Sequence, residues 1–91
     1  MKELTKAEER IMQILWDLEK AFTREILDQF ENEPPSYTTV ATVLTVLEQK
    51  GFVAHEMMGN SKRYYPLISK SKYSDFAMNN VMSKYFEGSL T

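Results

Sequence analysis

A chain of 91 residues and 10.6 kDa, 43% hydrophobic, with three Gly and three Pro, has room for one small domain and a short appendage, which excludes a multidomain enzyme. With no Cys and a single His, His55, it also lacks the means for disulfides, thiolate nucleophiles, cysteine metal sites and any imidazole-based metal cluster or catalytic dyad. The formal net charge of −2 argues by itself against a phosphate-binding surface, but it conceals a segregation: residues 1–49 carry five Lys/Arg against ten Asp/Glu, whereas residues 50–72 carry Lys50, Lys62, Arg63, Lys70 and Lys72 against Glu56 alone.

The first helix is announced by Thr5-Lys6-Ala7-Glu8, a capping box that can satisfy first-turn amides reciprocally. Leu4, Ala7, Ile11, Ile14, Leu15 and Leu18 then recur at helical spacing, which predicts one face packed into a core. A second start signal at Thr23, followed by the apolar Ile26, Leu27 and Phe30, predicts about two helical turns over 23–30. Pro34-Pro35 breaks that element, since each proline removes a donor and pushes its predecessor out of helical geometry. Ser36 is a good N-cap for a third helix, Tyr37 to Lys50, with Val40, Val43, Leu44 and Leu47 on one side and Thr38, Thr42, Thr45 and Gln49 on the other. Thr39, Ala41 and Val46 fall on the flanks, and Gly51 stands as a left-handed C-terminal cap. Its many Thr and Val residues favour a strand; the apolar spacing, the Pro-Ser entry and the Lys-Gly exit decide for a helix. Phe52 to Met58 and Lys62 to Pro66 read as two strands joined by Gly59-Asn60-Ser61, a hairpin with a basic rim. From Ser69 to about Gly88 the pattern is again helical, with Tyr73, Phe76, Ala77, Val81 and Tyr85 at helical spacing and Met78, Met82 and Phe86 widening the apolar face.

Three helices followed by a basic hairpin is the order of a winged helix-turn-helix, mainly α with a two- or three-stranded wing, expected here over residues 1–68 with a C-terminal dimerisation helix over 69–91. In such a unit the third helix can enter a major groove while the hairpin rests on the neighbouring backbone. Thr side chains suit that position, because the hydroxyl can donate or accept and the methyl can touch a thymine.

The residues also carry a family resemblance. Leu4-Thr5-Lys6-Ala7-Glu8, Ile14-Leu15-Trp16, Tyr37 to Leu44, Glu48 to Val53 and Arg63-Tyr64-Tyr65-Pro66 resemble the penicillinase-repressor family of bacterial transcriptional regulators (BlaI/MecI/CopY type) over nearly the whole chain, and Tyr85 to Ser89 resembles the family's FxGS segment. The resemblance implies a homodimeric transcriptional repressor on a palindromic double-stranded DNA operator, with no cofactor, released when a signalling protease cuts a fuller-length form in its C-terminal helices. The family commonly places basic residues where this chain has Ala41 and Val46, and its copper-responsive branch uses C-terminal cysteines that this chain does not have.

The candidate DNA-contacting residues are therefore Thr38, Thr39, Ala41, Thr42 and Thr45 for the groove, with Lys62, Arg63 and Arg24 for phosphates. Set against these are plainer readings: a solvated helix side, and solubilising charges at a hairpin tip. Lys50 is read as complementing the helix C-terminus, Met12 and Trp16 as core, and His55 as an exposed or partly packed strand residue. Tyr73, Phe76, Ala77, Val81, Met82, Tyr85 and Phe86 either pack back on their own domain or form a contact with a second copy; the dimer contact is the expectation, because a chain this short buries only about 60% of the surface its unfolded form exposes. No carboxylate pair supports an enzyme, and no residue set supports a metal site. The rival function is a winged-helix protein-interaction module without DNA binding. No apolar run approaches the ~20 residues of a membrane span, and Met1 to Thr5 lacks a signal-peptide core, so no membrane partner and a cytoplasmic location are expected.

Overall fold

Residues 3–79 are described by the computed structural model. Helix α1 (Lys6–Leu18) starts at the capping box: the Glu8 N–H donates to Thr5 Oγ1 at 3.2 Å, and the Thr5 N–H donates to Glu8 Oε1 at 2.8 Å. Its inner face buries Ile11, Met12, Ile14 and Leu15. Ala7, expected on that stripe, is exposed, because the core lies under the Leu4, Glu8, Ile11 and Leu15 line instead. The helix ends abruptly. Glu19 has φ +70° and ψ −51°, and the Lys20 N–H donates to Leu18 O at 2.8 Å, which closes a γ-turn around Glu19. A side chain in this region is strained by about 1–3 kcal/mol, part of which a glycine would return through its freedom in the unfolded chain. The substitution Glu19→Gly is therefore expected to stabilise the fold by about 1 kcal/mol, measured as a rise of roughly 4–8 °C in Tm.

The turn leads into a two-residue strand, β1 (Ala21–Phe22), and then α2 (Thr23–Asp28). α2 starts at Thr23, where the sequence places it: Phe22 is the N-cap, its N–H donates to Glu25 Oε1 at 2.8 Å, and Thr23 is buried in the first turn. The helix also stops short of Phe30. The Gln29 and Phe30 N–H groups donate to Ile26 and Leu27 carbonyls three residues back, tightening the last turn ahead of the prolines.

Helix α3 (Tyr37–Gln49) opens on Ser36, whose Oγ accepts from the Thr39 N–H at 3.1 Å. Its exit is a Schellman motif: Gly51, at φ +85°, donates to Glu48 O at 3.1 Å, and the Phe52 N–H donates to Leu47 O at 2.9 Å. Val40, Leu44 and Leu47 are fully buried. Two caps and this buried stripe outweigh the strand preference of its Thr and Val residues, which on an exposed helix side amounts to a few tenths of a kcal/mol each.

Strands β2 (Val53–Met58) and β3 (Ser61–Pro66) form an antiparallel hairpin with Met58 opposite Ser61, so the turn is the two residues Gly59 and Asn60, with φ +65° at the glycine. Phe52 is withheld from β2 by the Schellman motif. β1 adds to the far edge of β3, pairing Ala21 with Tyr64 and Phe22 with Arg63, for a three-stranded sheet in the order β1-β3-β2. Residues 70–79 are helical, α4.

Two long-range ties close the core. Lys50 Nζ lies 2.9 and 2.8 Å from the two Glu8 carboxylate oxygens, joining the end of α3 to the start of α1. Trp16 Nε1 donates to Ile68 O at 2.8 Å, and the Leu4 N–H donates to the Tyr73 hydroxyl at 3.3 Å, which seats the root of α4 on α1. Tyr73 is 6% exposed and its ring lies about 6 Å from those of Trp16, Phe52 and Phe76. Of the residues expected at a dimer contact, Tyr73 is thus taken up by its own domain. Phe76 and Ala77 are partly buried against the same core, and Val81, Met82, Tyr85 and Phe86 lie outside the described residues.

Candidate nucleic-acid interface

The buried stripe of α3 fixes what its other side presents. With Val40, Leu44 and Leu47 inward, Thr38, Thr42, Thr45 and Gln49 are exposed, and Ala41 and Val46 are half-buried at the margins. One margin faces an open cleft between the first turn of α2, α3 and the wing, whose walls include Arg24, Tyr37, Ala41, Thr45, Lys62 and Tyr64. Arg24 and Lys62 thus both line this one cleft, Arg24 from α2 and Lys62 from the hairpin. Glu25 is the acidic residue of this cleft, and its carboxylate is held by the Phe22 amide.

The structure brings together Arg24, Ala41, Thr45 and Lys62, with Thr38 and Thr42 on the exposed crest of α3 beside them. It separates two other candidates. Thr39 lies on the opposite flank, in a groove with Lys6, Arg10 and Val43, and its hydroxyl is 2.9 Å from Ser36 Oγ. Arg63, although next to Lys62, points to the other face of the sheet, because successive strand residues alternate. There it lies 3.9 Å from Glu56, which also pairs with Lys20 at 3.3 Å. Lys62 and Arg63 therefore do not form one clamp.

Two contacts hold the wing against α3. His55 Nδ1 lies 2.7 Å from Glu48 Oε2, so the histidine is partly packed, and its ring is 5.7 Å from that of Tyr64. Burial, reinforced by the nearby Glu48 charge, pushes the Tyr64 hydroxyl above its ordinary pKa, with the neighbouring Thr45 side chain opposing the shift. Tyr64 is thus a neutral phenol under the α3 face. The Thr45 hydroxyl donates to Ala41 O at 3.1 Å. Lys50 takes no part here, since both its contacts go to Glu8. The sequence reading passed over Tyr37, which is 53% exposed at the first position of α3 and lines the cleft; a large aromatic directly after the Ser36 cap, outside the apolar stripe, was the available signal. Among the described residues no cluster of three or more His, Cys, Asp or Glu could hold a metal, and no helix is long and apolar enough to cross a membrane.

A helical core whose third helix exposes a polar face beside a small antiparallel wing is a winged helix-turn-helix domain. The family model for the penicillinase repressor matches residues 4–91, and the chain belongs to that family. It is 26% identical over 87 residues to the methicillin resistance regulatory protein MecI of Staphylococcus aureus (strain N315), covering 94% of this chain and 71% of MecI. The solution structure of the DNA-binding domain of the repressor BlaI superposes with a TM-score of 0.67 at 28% identity, covering 80% of this chain and 94% of that domain. Bacillus licheniformis BlaI, in its monomeric form in complex with the blaP half-operator, gives a TM-score of 0.65 at 27% identity, over 79% of this chain and 89% of that one.

Proposed function

We propose that this chain is a sequence-specific DNA-binding transcriptional repressor that acts in the cytoplasm and occupies a palindromic operator as a homodimer. The observation that carries the reading is the cleft beside the exposed α3 face, where Arg24 and Lys62 line the same opening as Ala41 and Thr45, so that cations suited to phosphates adjoin a helix side suited to base edges. Membership in a repressor family, and likeness to a repressor determined on a half-operator, support it over a protein-interaction module. Partly buried Phe76 and Ala77 and exposed Met78 leave apolar surface along α4, which supports pairing with a second copy through the C-terminal region. Release by a signalling protease acting on a longer form of the chain completes the proposed cycle.

Selection of bound sites from a random duplex library, with the mass of the complex determined in parallel, tests the proposal. An enriched palindrome carrying two proteins per duplex is the expected result. No enrichment from a folded sample would sink it. The paired change Arg24→Ala, Lys62→Ala should weaken binding to all sequences alike and lower the salt dependence by roughly two counterions per protomer, with the melting temperature unchanged because both side chains are exposed.

A further inference from the structure

On the reading just given, we infer that the α3 face selects its half-site through thymine methyl groups and adenine edges, and leaves guanine unread. The basis is the chemistry this face can offer. Guanine is distinguished in the major groove by two acceptors, O6 and N7, which a cationic Arg or Lys meets with two donors. Between Arg24 and Lys50 the sequence contains no Lys or Arg. Lys50, at the end of α3, has its ammonium on both oxygens of the Glu8 carboxylate, at 2.9 and 2.8 Å. Arg24 and Lys62 stand at the walls of the cleft, not on the helix that would lie along the base edges.

What remains on the crest and margins of α3 carries no cation. Ala41 and Val46 bring methyl groups only. Thr45 has its hydroxyl proton engaged by Ala41 O at 3.1 Å, so toward a base it can bring its methyl and a lone pair, but not a free donor. Thr38 and Thr42 add a methyl and a hydroxyl each. Gln49 is the one exposed side chain of α3 able to donate and accept in parallel, and that pattern matches adenine N6 and N7. A thymine C5-methyl offers apolar surface to the methyl groups of these side chains, whereas guanine O6 and N7 would meet single neutral hydroxyls at most, without the paired donors of a cation in return for their desolvation. Selectivity of this kind rests on exclusion of unsatisfied acceptors as much as on attraction to the methyl.

The test uses the full 91-residue chain on the duplex it selects from the random library. Each thymine is replaced in turn by deoxyuridine, which removes the 5-methyl and keeps the pairing edge, and each guanine by 7-deazaguanine, which removes the N7 acceptor. The expected result is a loss of about fourfold in affinity for each thymine under α3, the worth of one buried methyl, and no loss at any guanine. Ala41→Arg should then bring a guanine into the selected site at a position where the natural chain enriches none. A tenfold loss at a 7-deazaguanine with no loss at any deoxyuridine overturns the inference while leaving the repressor reading intact. Failure to select any site removes the repressor reading itself, and this inference with it.

Discussion

Replacing Glu8 by alanine is expected to cost the fold about 3 kcal/mol, because a single side chain closes the capping box of α1 and receives Lys50 from the end of α3. In a domain of this size that corresponds to a fall of roughly 10–20 °C in Tm. The Glu8 side chain is 6% exposed and that of Lys50 23%, so removing the carboxylate strands an ammonium that water reaches only in part, together with the Thr5 N–H. Glu8→Gln separates the two contributions. The amide oxygen can still accept from Thr5 while the charge partner of Lys50 is lost, and about half the destabilisation should remain. The double change Glu8→Ala, Lys50→Ala completes a cycle whose coupling term reports the ion pair itself.

The same pair sets the acid limb of stability. Burial would raise the Glu8 pKa, but the Lys50 ammonium and the Thr5 hydrogen bonds outweigh it and hold the carboxyl below its ordinary 4.5. The contribution is therefore fully present above that value and is lost as pH falls below it through the lower folded pKa. In this window the unfolded chain binds more protons, so stability rises with pH. The glutamine variant should unfold with a flatter pH dependence below pH 4.5 than the natural chain, as measured by urea denaturation at stepped pH.

Thr42→Glu is expected to abolish specific DNA binding, with a loss of about a hundredfold on the selected site, and to leave the melting temperature within about 1 °C. Thr42 sits exposed on the crest of α3, on the side opposite the buried Val40, Leu44 and Leu47, and a surface change there has little folding cost. A carboxylate at this position would face base acceptors and flanking phosphates in each half-site. Unfavourable contacts of about 1–3 kcal/mol per altered position, counted once in each protomer, give a loss of that order. Binding unchanged by this substitution would mean that another face of the protein meets the duplex.

Much of the fold was legible because its signals are local. The Thr5–Glu8 box, the Ser36 cap and the Lys50-Gly51-Phe52 exit each occupy a few consecutive residues, and each forms the hydrogen bonds its pattern predicts. β1 was not legible as an element, since two residues carry no periodicity; Ala21 and Phe22 become a strand only because Tyr64 and Arg63 lie alongside. The Glu8–Lys50 pair spans 42 positions, and no sequence pattern joins a helix start to the end of a helix so far away. The wheel put Thr39 on a flank of α3, but which flank adjoins the wing depends on how α3 sits against α1 and the hairpin. The separation of Arg63 from Lys62, by contrast, was available from the strand prediction itself, because alternation is what a strand imposes. Tyr73 was misplaced for a subtler reason: an aromatic stripe looks the same whether it meets its own domain or another copy.

The division of labour within α3 bears on how such a protein can change over time. Folding rests on Val40, Leu44, Leu47 and two caps, while the outward crest contributes almost nothing to stability. Mutations at Thr38, Thr42 and Gln49 are therefore close to neutral for the scaffold and can accumulate without compensating changes elsewhere. A duplicated copy of this chain could acquire a new target in a few substitutions, and two such copies could serve one cell without competing for the same sites.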